Sequence, residues 1–261
     1  MVRVVLGISY NGQAYQGWQS QLSGLTVQDK LEKALATFTA QRVSTLCAGR
    51  TDAGVHALMQ VVHFDSDKER DTHAWVRGTN ANLPRDIAVQ WAVLTSKDFH
   101  CRASATSRRY AYVLLESPVR PSVDMGRVGW SFRPLDLKAM RQAADILLGE
   151  HDFTSFRASA CQALSPVKNM LAIDIHQRGA YWRIEFEANA FLHHMIRNIM
   201  GCLVQIGQGK RPPEWMAEVL AARDRDAAAP TFSPDGLYFL GPCYEPYWGM
   251  PERTPAYDGL P

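Results

Sequence analysis

From one end of the chain to the other, segments with a two-residue hydrophobic period interleave with segments of helical period, and this mixture constrains the fold more than any other feature. Val2–Ile8 reads as a buried strand. Thr26 and Asp29 have capping-box spacing, and Val27, Leu31, Leu35 and Phe38 recur at helical intervals, which predicts a helix opening at Thr26. Arg42–Cys47 and Gln60–Phe64 read as strands, a helix is expected over Asp71–Ala81, and Ile87, Val89, Trp91 and Val93 alternate as another strand. A second unit begins near Ala105. Its "RRYAYVLLE" stretch puts Arg108, Tyr110 and Tyr112 on one sheet face and Arg109, Ala111 and Val113 on the other. A helix over Leu137–Leu148 stopped by Gly149, strands over Lys168–His176 and Tyr181–Glu187, a helix through "FLHHMIRNIMGCLVQIG", a short helix after Pro212-Pro213 and a strand after Asp235-Gly236 complete the pattern. The expectation is an α/β protein of the α+β kind in two similar units, residues 1–104 and 105–261, with no internal repeat in the residues themselves.

Composition narrows the class. The hydrophobic share of 46% supports a sizeable core. The apolar run at the N-terminus is too short for a signal peptide, and no apolar stretch reaches the roughly 20 residues of a membrane span. Five scattered cysteines with no CxxC pair read as reduced thiols of a cytoplasmic protein. Net charge is only +2, so bulk charge does not announce a nucleic-acid partner. Local charge says more, because the windows Lys33–Thr51, Phe99–Leu115 and Ala188–Pro213 hold arginines and lysines but no acid. Folded onto one face, they would bind phosphates.

Most nucleophile and ligand motifs are missing. "GQGKRP" lacks the spacing and the Ser/Thr of a phosphate loop, there is no GxGxxG after a strand, and neither SxxK nor GxSxG occurs. The eight histidines offer no ligand set, with His193 and His194 expected on different sides of a helix. What remains is an acid among arginines and aromatics. "AGRTDAGVHA", Ala48–Ala57, carries Asp52 on a connection between two strands, with Arg50 and Thr51 beside it and glycines on either side. An Asp beside Gly commonly caps its own turn. A nearby guanidinium, however, would keep Asp52 ionised and nucleophilic. Tyr110 could be cross-strand packing, but Arg108 on its face suits a residue that stacks on an exposed base, an interaction of about 1–3 kcal/mol. Arg197 lies with His194 and Gly201 on the less apolar side of an otherwise apolar helix, where a buried guanidinium needs a carboxylate.

These residues resemble those of the TruA-type tRNA pseudouridine synthase family. "AGRTDAGVHA" is similar to its catalytic motif, and "SYNGQAYQGWQ", "LPRDIAV", "FHCRASATSRRYAY", "GEHDFTSF" and "NAFLHHMIRNIMGCLVQIGQGK" follow in the family's order, nearly end to end. The resemblance implies the pseudouridine synthase fold: two related ferredoxin/RRM-like domains sharing a continuous curved mixed sheet, with the active site in a basic cleft between them. It implies isomerisation of uridine to pseudouridine at positions 38, 39 and 40 of the tRNA anticodon stem-loop, by a homodimer whose two subunits share one tRNA. No metal or organic cofactor is implied. Carried over singly, Asp52 matches the essential aspartate, Tyr110 the aromatic stacked on the target base, Arg197 the partner of that aspartate, and Arg50 the arginine that holds the base flipped out. Leu237 in "DGLYFL" matches a packing residue under the base. Two positions depart from the family's usual residues: Cys101 in "FHCR" where the family has Ala, and Asn11 in "YNG" where it has Asp.

On this reading Asp52 attacks ribose C1′ or base C6, the two remaining open, and Tyr110 is the nearest candidate base for the C5 proton. Two rivals fit parts of the pattern. A non-catalytic RNA-binding module shares the basic and aromatic residues. A carboxylate glycosidase would need paired acids, and the nearest acid to Asp52 in sequence is Asp65.

Overall fold

A computed structural model describes residues 1–251 and divides them into two units: Met1–Ser107 together with the segment from Tyr238 onward, and Arg108–Leu237. The tail from 252 to 261, which the sequence reading assigned to the second unit, lies outside the described residues. In chain order the elements are β1 (Val2–Tyr10), α1 (Val27–Thr39), β2 (Leu46–Cys47), β3 (His56–Ser66), α2 (Thr72–Asn80), β4 (Ile87–Thr95), β5 (Ala105–Glu116), β6 (Gly129–Ser131), α3 (Leu137–Asp145), β7 (Gly149–Asp152), β8 (Val167–Arg178), β9 (Tyr181–Ala188), α4 (Met195–Gly207), α5 (Trp215–Ala222) and β10 (Leu237–Tyr244).

In the first unit the strand order is β4-β1-β3-β10, with β2 added to β3. β1 is the apolar centre, with Val4, Val5, Leu6 and Ile8 fully buried and antiparallel partners on both sides. β10 runs parallel to β3, pairing Tyr238 with His56 and Phe239 with Ala57. α1 begins as its sequence requires: the Thr26 hydroxyl accepts from the Asp29 amide at 3.2 Å and donates to the Asp29 carboxylate at 2.5 Å. Trp75 fastens α2 to the rest, since its fully buried ring meets Phe38 of α1 at 5.6 Å and Phe64 of β3 at 5.4 Å, both edge-on.

In the second unit β5, β9, β8 and β7 form an antiparallel run, and β6 lies parallel to β5. The register pairs Tyr110 with Phe186 and Arg108 with Ala188. α3 and α4 pack together, and a side chain at Gly207 of α4 would press on Met140 Sδ of α3 at 2.7 Å.

Three expectations change. The strand over Arg42–Cys47 shrinks to Leu46–Cys47, the only two of its residues that pair with β3. The helix from Leu137 ends at Asp145, and Gly149 opens β7 at φ +90° rather than merely stopping a helix. The helix expected from Phe191 starts at Met195, with His194 as a left-handed cap at φ 63°. His193 and His194 therefore do not straddle a helix, and their rings lie 4.0 Å apart, centre to centre. Among the described residues no helix is long and apolar enough to cross a membrane.

Replacing Thr26 with Ala removes the cap of α1 and is expected to destabilise the protein by about 1 kcal/mol. Urea unfolding followed by far-UV circular dichroism measures it, and an unchanged midpoint would show that the cap adds nothing.

Candidate active site

The loop from Ala48 to Val55 leaves the sheet after β2 and returns as β3, so Asp52 is carried between two strands. Its backbone has little freedom. Ala48 N–H still donates to Val61 O at 2.8 Å, and one residue later the Gln60 carboxamide pairs with both peptide groups of Gly49, donating to its oxygen at 2.5 Å and accepting from its nitrogen at 3.3 Å. From the other side, the segment after β1 clasps the loop. Trp18 N–H donates to Thr51 O at 3.0 Å, Gly54 N–H to Tyr15 O at 3.3 Å, and Gly12 N–H to His56 Nδ1 at 3.1 Å.

Two glycines of that segment are required by the fit. Gly17 has φ +85° and a side chain there would lie 2.7 Å from Thr51 O, while a side chain at Gly12 would overlap Val55 O. Gly54, at φ +80°, makes the turn after Asp52. The Tyr10 hydroxyl meets Thr51 Oγ1 at 2.7 Å beneath the loop. Asp52 itself is half-buried and Arg50 is exposed.

Two of the acid-free windows meet at this loop. The Cys47 thiol is pushed up by burial, and the guanidinium groups of Arg102 and Arg50 partly offset that push. Arg102 is fixed there by donating from Nε to Cys47 O at 3.3 Å. The two family departures are absorbed locally. Asn11 Oδ1 accepts from Gln13 N–H at 3.0 Å, a bond that an Asp carboxylate would make equally well. Cys101 is fully buried among Val5, Ala48, Met59, Val61 and Phe99, its thiol donating to Leu46 O at 3.2 Å.

Sequence reasoning found no ligand set, yet the fold gathers His63, His100 and Cys101, whose candidate ligand atoms lie within 4.8 Å of one another. Their protons oppose metal binding. His63 Nδ1 accepts the Cys101 N–H at 3.3 Å, and His100 Nδ1 accepts the N–H groups of Arg102 and Ala103 at 3.2 Å each, so each neutral ring carries its proton on Nε2. Burial also pushes the Cys101 thiol up to about 12.

Tyr110, Arg197 and Leu237 belong to the second unit. Tyr110 is buried on β5 and meets Phe191 edge-on at 5.1 Å. Arg108, on the same strand, donates to Asn189 O at 2.7 Å. Arg197 stands on the first turn of α4, half-buried, and donates from Nε to Phe232 O at 2.8 Å, while Phe232 N–H donates back to Arg197 O at 3.1 Å. The less apolar side of α4 is thus not a solvated face, because the extended segment 229–236 covers it. At Gly201 a side chain would overlap Pro230 O. The same segment is strapped to β5 by Tyr112 OH donating to Ser233 O and Val113 N–H donating to Gly236 O, each at 2.8 Å. Leu237 follows at once and is buried. The sequence reading missed this strap as well as Tyr10 and Gln60. The one available signal was Gln60, a polar residue inside an apolar strand.

Comparison with known proteins agrees with these features. The chain matches the tRNA pseudouridine synthase family over residues 8–102 and 143–245. It is 71% identical over 260 residues to the tRNA pseudouridine synthase A of Albidiferax ferrireducens and 71% identical over 264 residues to that of Polaromonas naphthalenivorans, in each case across 100% of both chains. The protein of that name from Paracidovorax citrulli is 67% identical over 278 residues, again across 100% of both. The chain belongs to the tRNA pseudouridine synthase family, a family of isomerases, and its α/β units have that fold.

Burial, followed by the nearby charges of Arg3 and His100, lowers the His63 pKa from 6.5 to about 4. Above pH about 6.5 the ring is neutral whether the chain is folded or not. Between there and about 4 only the unfolded chain binds the proton, so this contribution to stability is lost as pH falls. His63→Asn keeps an acceptor for the Cys101 amide and has no such proton. Its thermal midpoint should fall less steeply than that of the parent between pH 6.5 and 5, and parallel curves would contradict the assignment.

Proposed function

We propose that this protein isomerises uridine to pseudouridine in tRNA, at positions 38, 39 and 40 of the anticodon stem-loop, through a covalent bond to Asp52. The observation that carries the reading is a half-buried carboxylate held on a short loop whose backbone is tied down on both sides, with exposed Arg50 beside it. Membership of the family and 71% identity to named tRNA pseudouridine synthases A supply the substrate class.

A uridine in a stem must leave its stack before any side chain reaches its sugar or ring, at a cost of a few kcal/mol. Arg50 holds the extruded nucleotide by its phosphate, Tyr110 stacks on the uracil, and Leu237 packs beneath it. The Asp52 carboxylate then forms a bond to C1′ as the N1–C1′ bond breaks, or adds to C6 before that bond breaks. The uracil turns, C5 bonds to C1′, and the bond to Asp52 is released. C5 loses its proton to a base, the role assigned here to Tyr110, and N1 gains one. Arg197 pairs with Asp52, keeping it ionised and aimed. Atoms balance without oxidant or reductant, and on this reading no cofactor takes part. The enzyme works in the cytoplasm as a homodimer whose subunits share one tRNA.

Release of tritium from tRNA labelled at uridine C5 tests the reading. Asp52→Asn should bind tRNA nearly as well as the parent and release no tritium. Arg50→Ala should weaken both binding and turnover. Binding of tRNA with no tritium release by the parent protein would leave only an RNA-binding module.

A further inference from the structure

We propose that Tyr10 and Gln60 are positioning residues for this reaction: through Thr51 and Gly49 they fix the direction in which Arg50 and Asp52 face the nucleotide. The inference rests on the activity proposed above. Three polar side chains are buried together here, with Gln60 0%, Tyr10 4% and Thr51 7% exposed. Each must find partners or cost about 1–3 kcal/mol.

The partners are the peptide and side-chain groups that flank the reactive residues. Gln60 takes both backbone groups of Gly49, the residue before Arg50. Tyr10 takes the hydroxyl of Thr51, the residue between Arg50 and Asp52, at 2.7 Å. Tyr10 and Gln60 thus hold the residues on either side of Arg50. Burial raises the phenol's pKa, and Tyr10 keeps its proton throughout the working pH range.

The place of Gln60 distinguishes positioning from mere satisfaction of a core. The last backbone bond before the loop is Ala48 N–H to Val61 O. At the next residue the chain turns away from β3, and the Gln60 side chain stands in for the missing strand peptide. The loop therefore departs from the sheet at a defined residue and angle. Thr51 is then held twice, by its hydroxyl to Tyr10 and by its carbonyl to Trp18 N–H at 3.0 Å. Rotation at Thr51 would turn the Asp52 carboxylate relative to the Arg50 guanidinium. A misplacement of about 1 Å can cost roughly 100-fold in rate.

Single-turnover tritium release, tRNA affinity by filter binding and the thermal midpoint are measured for Tyr10→Phe, Thr51→Val and Thr51→Ser. Tyr10→Phe and Thr51→Val should slow the single-turnover step by about 10–100-fold, with a smaller loss of tRNA affinity than Arg50→Ala causes. Thr51→Ser, which restores the hydroxyl, should recover most of the rate. A parental rate in Tyr10→Phe or Thr51→Val would overturn the inference. So would a rate loss that vanishes once corrected for the folded fraction, or a Thr51→Ser variant as slow as Thr51→Val. If the parent itself releases no tritium, the proposed function fails and this inference falls with it. If the parent is active and the variants match it, this inference alone fails.

Discussion

The constraint on which the first unit's site depends is the exit of the chain from its sheet at Gly49. A strand that stops abruptly leaves peptide groups facing a buried neighbour, and each unsatisfied group costs about 1–3 kcal/mol. Most loops meet that cost by moving to water. Here water is replaced by the Gln60 carboxamide, whose donor and acceptor are spaced like those of a peptide. The result is a connection with the rigidity of sheet and the exposure of a loop. That combination suits a carboxylate that must reach outward and yet keep one orientation.

The second unit reaches a similar end with an extended segment. Residues 229–236 lie across α4 and are tied to β5, so that Arg197, Tyr112 and the start of β10 share one support. Arg197 commits its Nε–H to Phe232 O, which fixes the plane of the guanidinium. A lysine has no second nitrogen to spend this way. Its charge would survive at this position, but its direction would not.

How much of this was legible in the sequence follows the range of the interactions involved. Thr26 and Asp29 announced α1 because a cap is local, and the alternation through β4 and β5 is equally local. The loop around Asp52 was legible because its glycines, arginine and aspartate lie close together in sequence. Tyr10 and Gln60 were not: one ends a strand, the other sits within a strand, and their meaning lies in contacts with residues 41 positions away and 11 positions away. The strap was unread because extended segments rich in proline carry no period. His193 and His194 were misplaced for a related reason, since the helical pattern runs on through residues that a left-handed His194 holds outside the helix.

The charge balance shows why local order matters more than composition here. A net charge of +2 over 261 residues sets almost no long-range field. At physiological ionic strength a phosphate feels only charges within about 8 Å. What counts is therefore how many guanidinium groups stand near the loop and how many acids dilute them. Arg50 and Arg102 both act on Cys47, and each comes from a window without a carboxylate. Asp52 follows directly after the first of those windows. In the reaction proposed above, arginines so placed would serve twice, favouring the ionised form of a carboxylate nucleophile and attracting a polyanionic substrate.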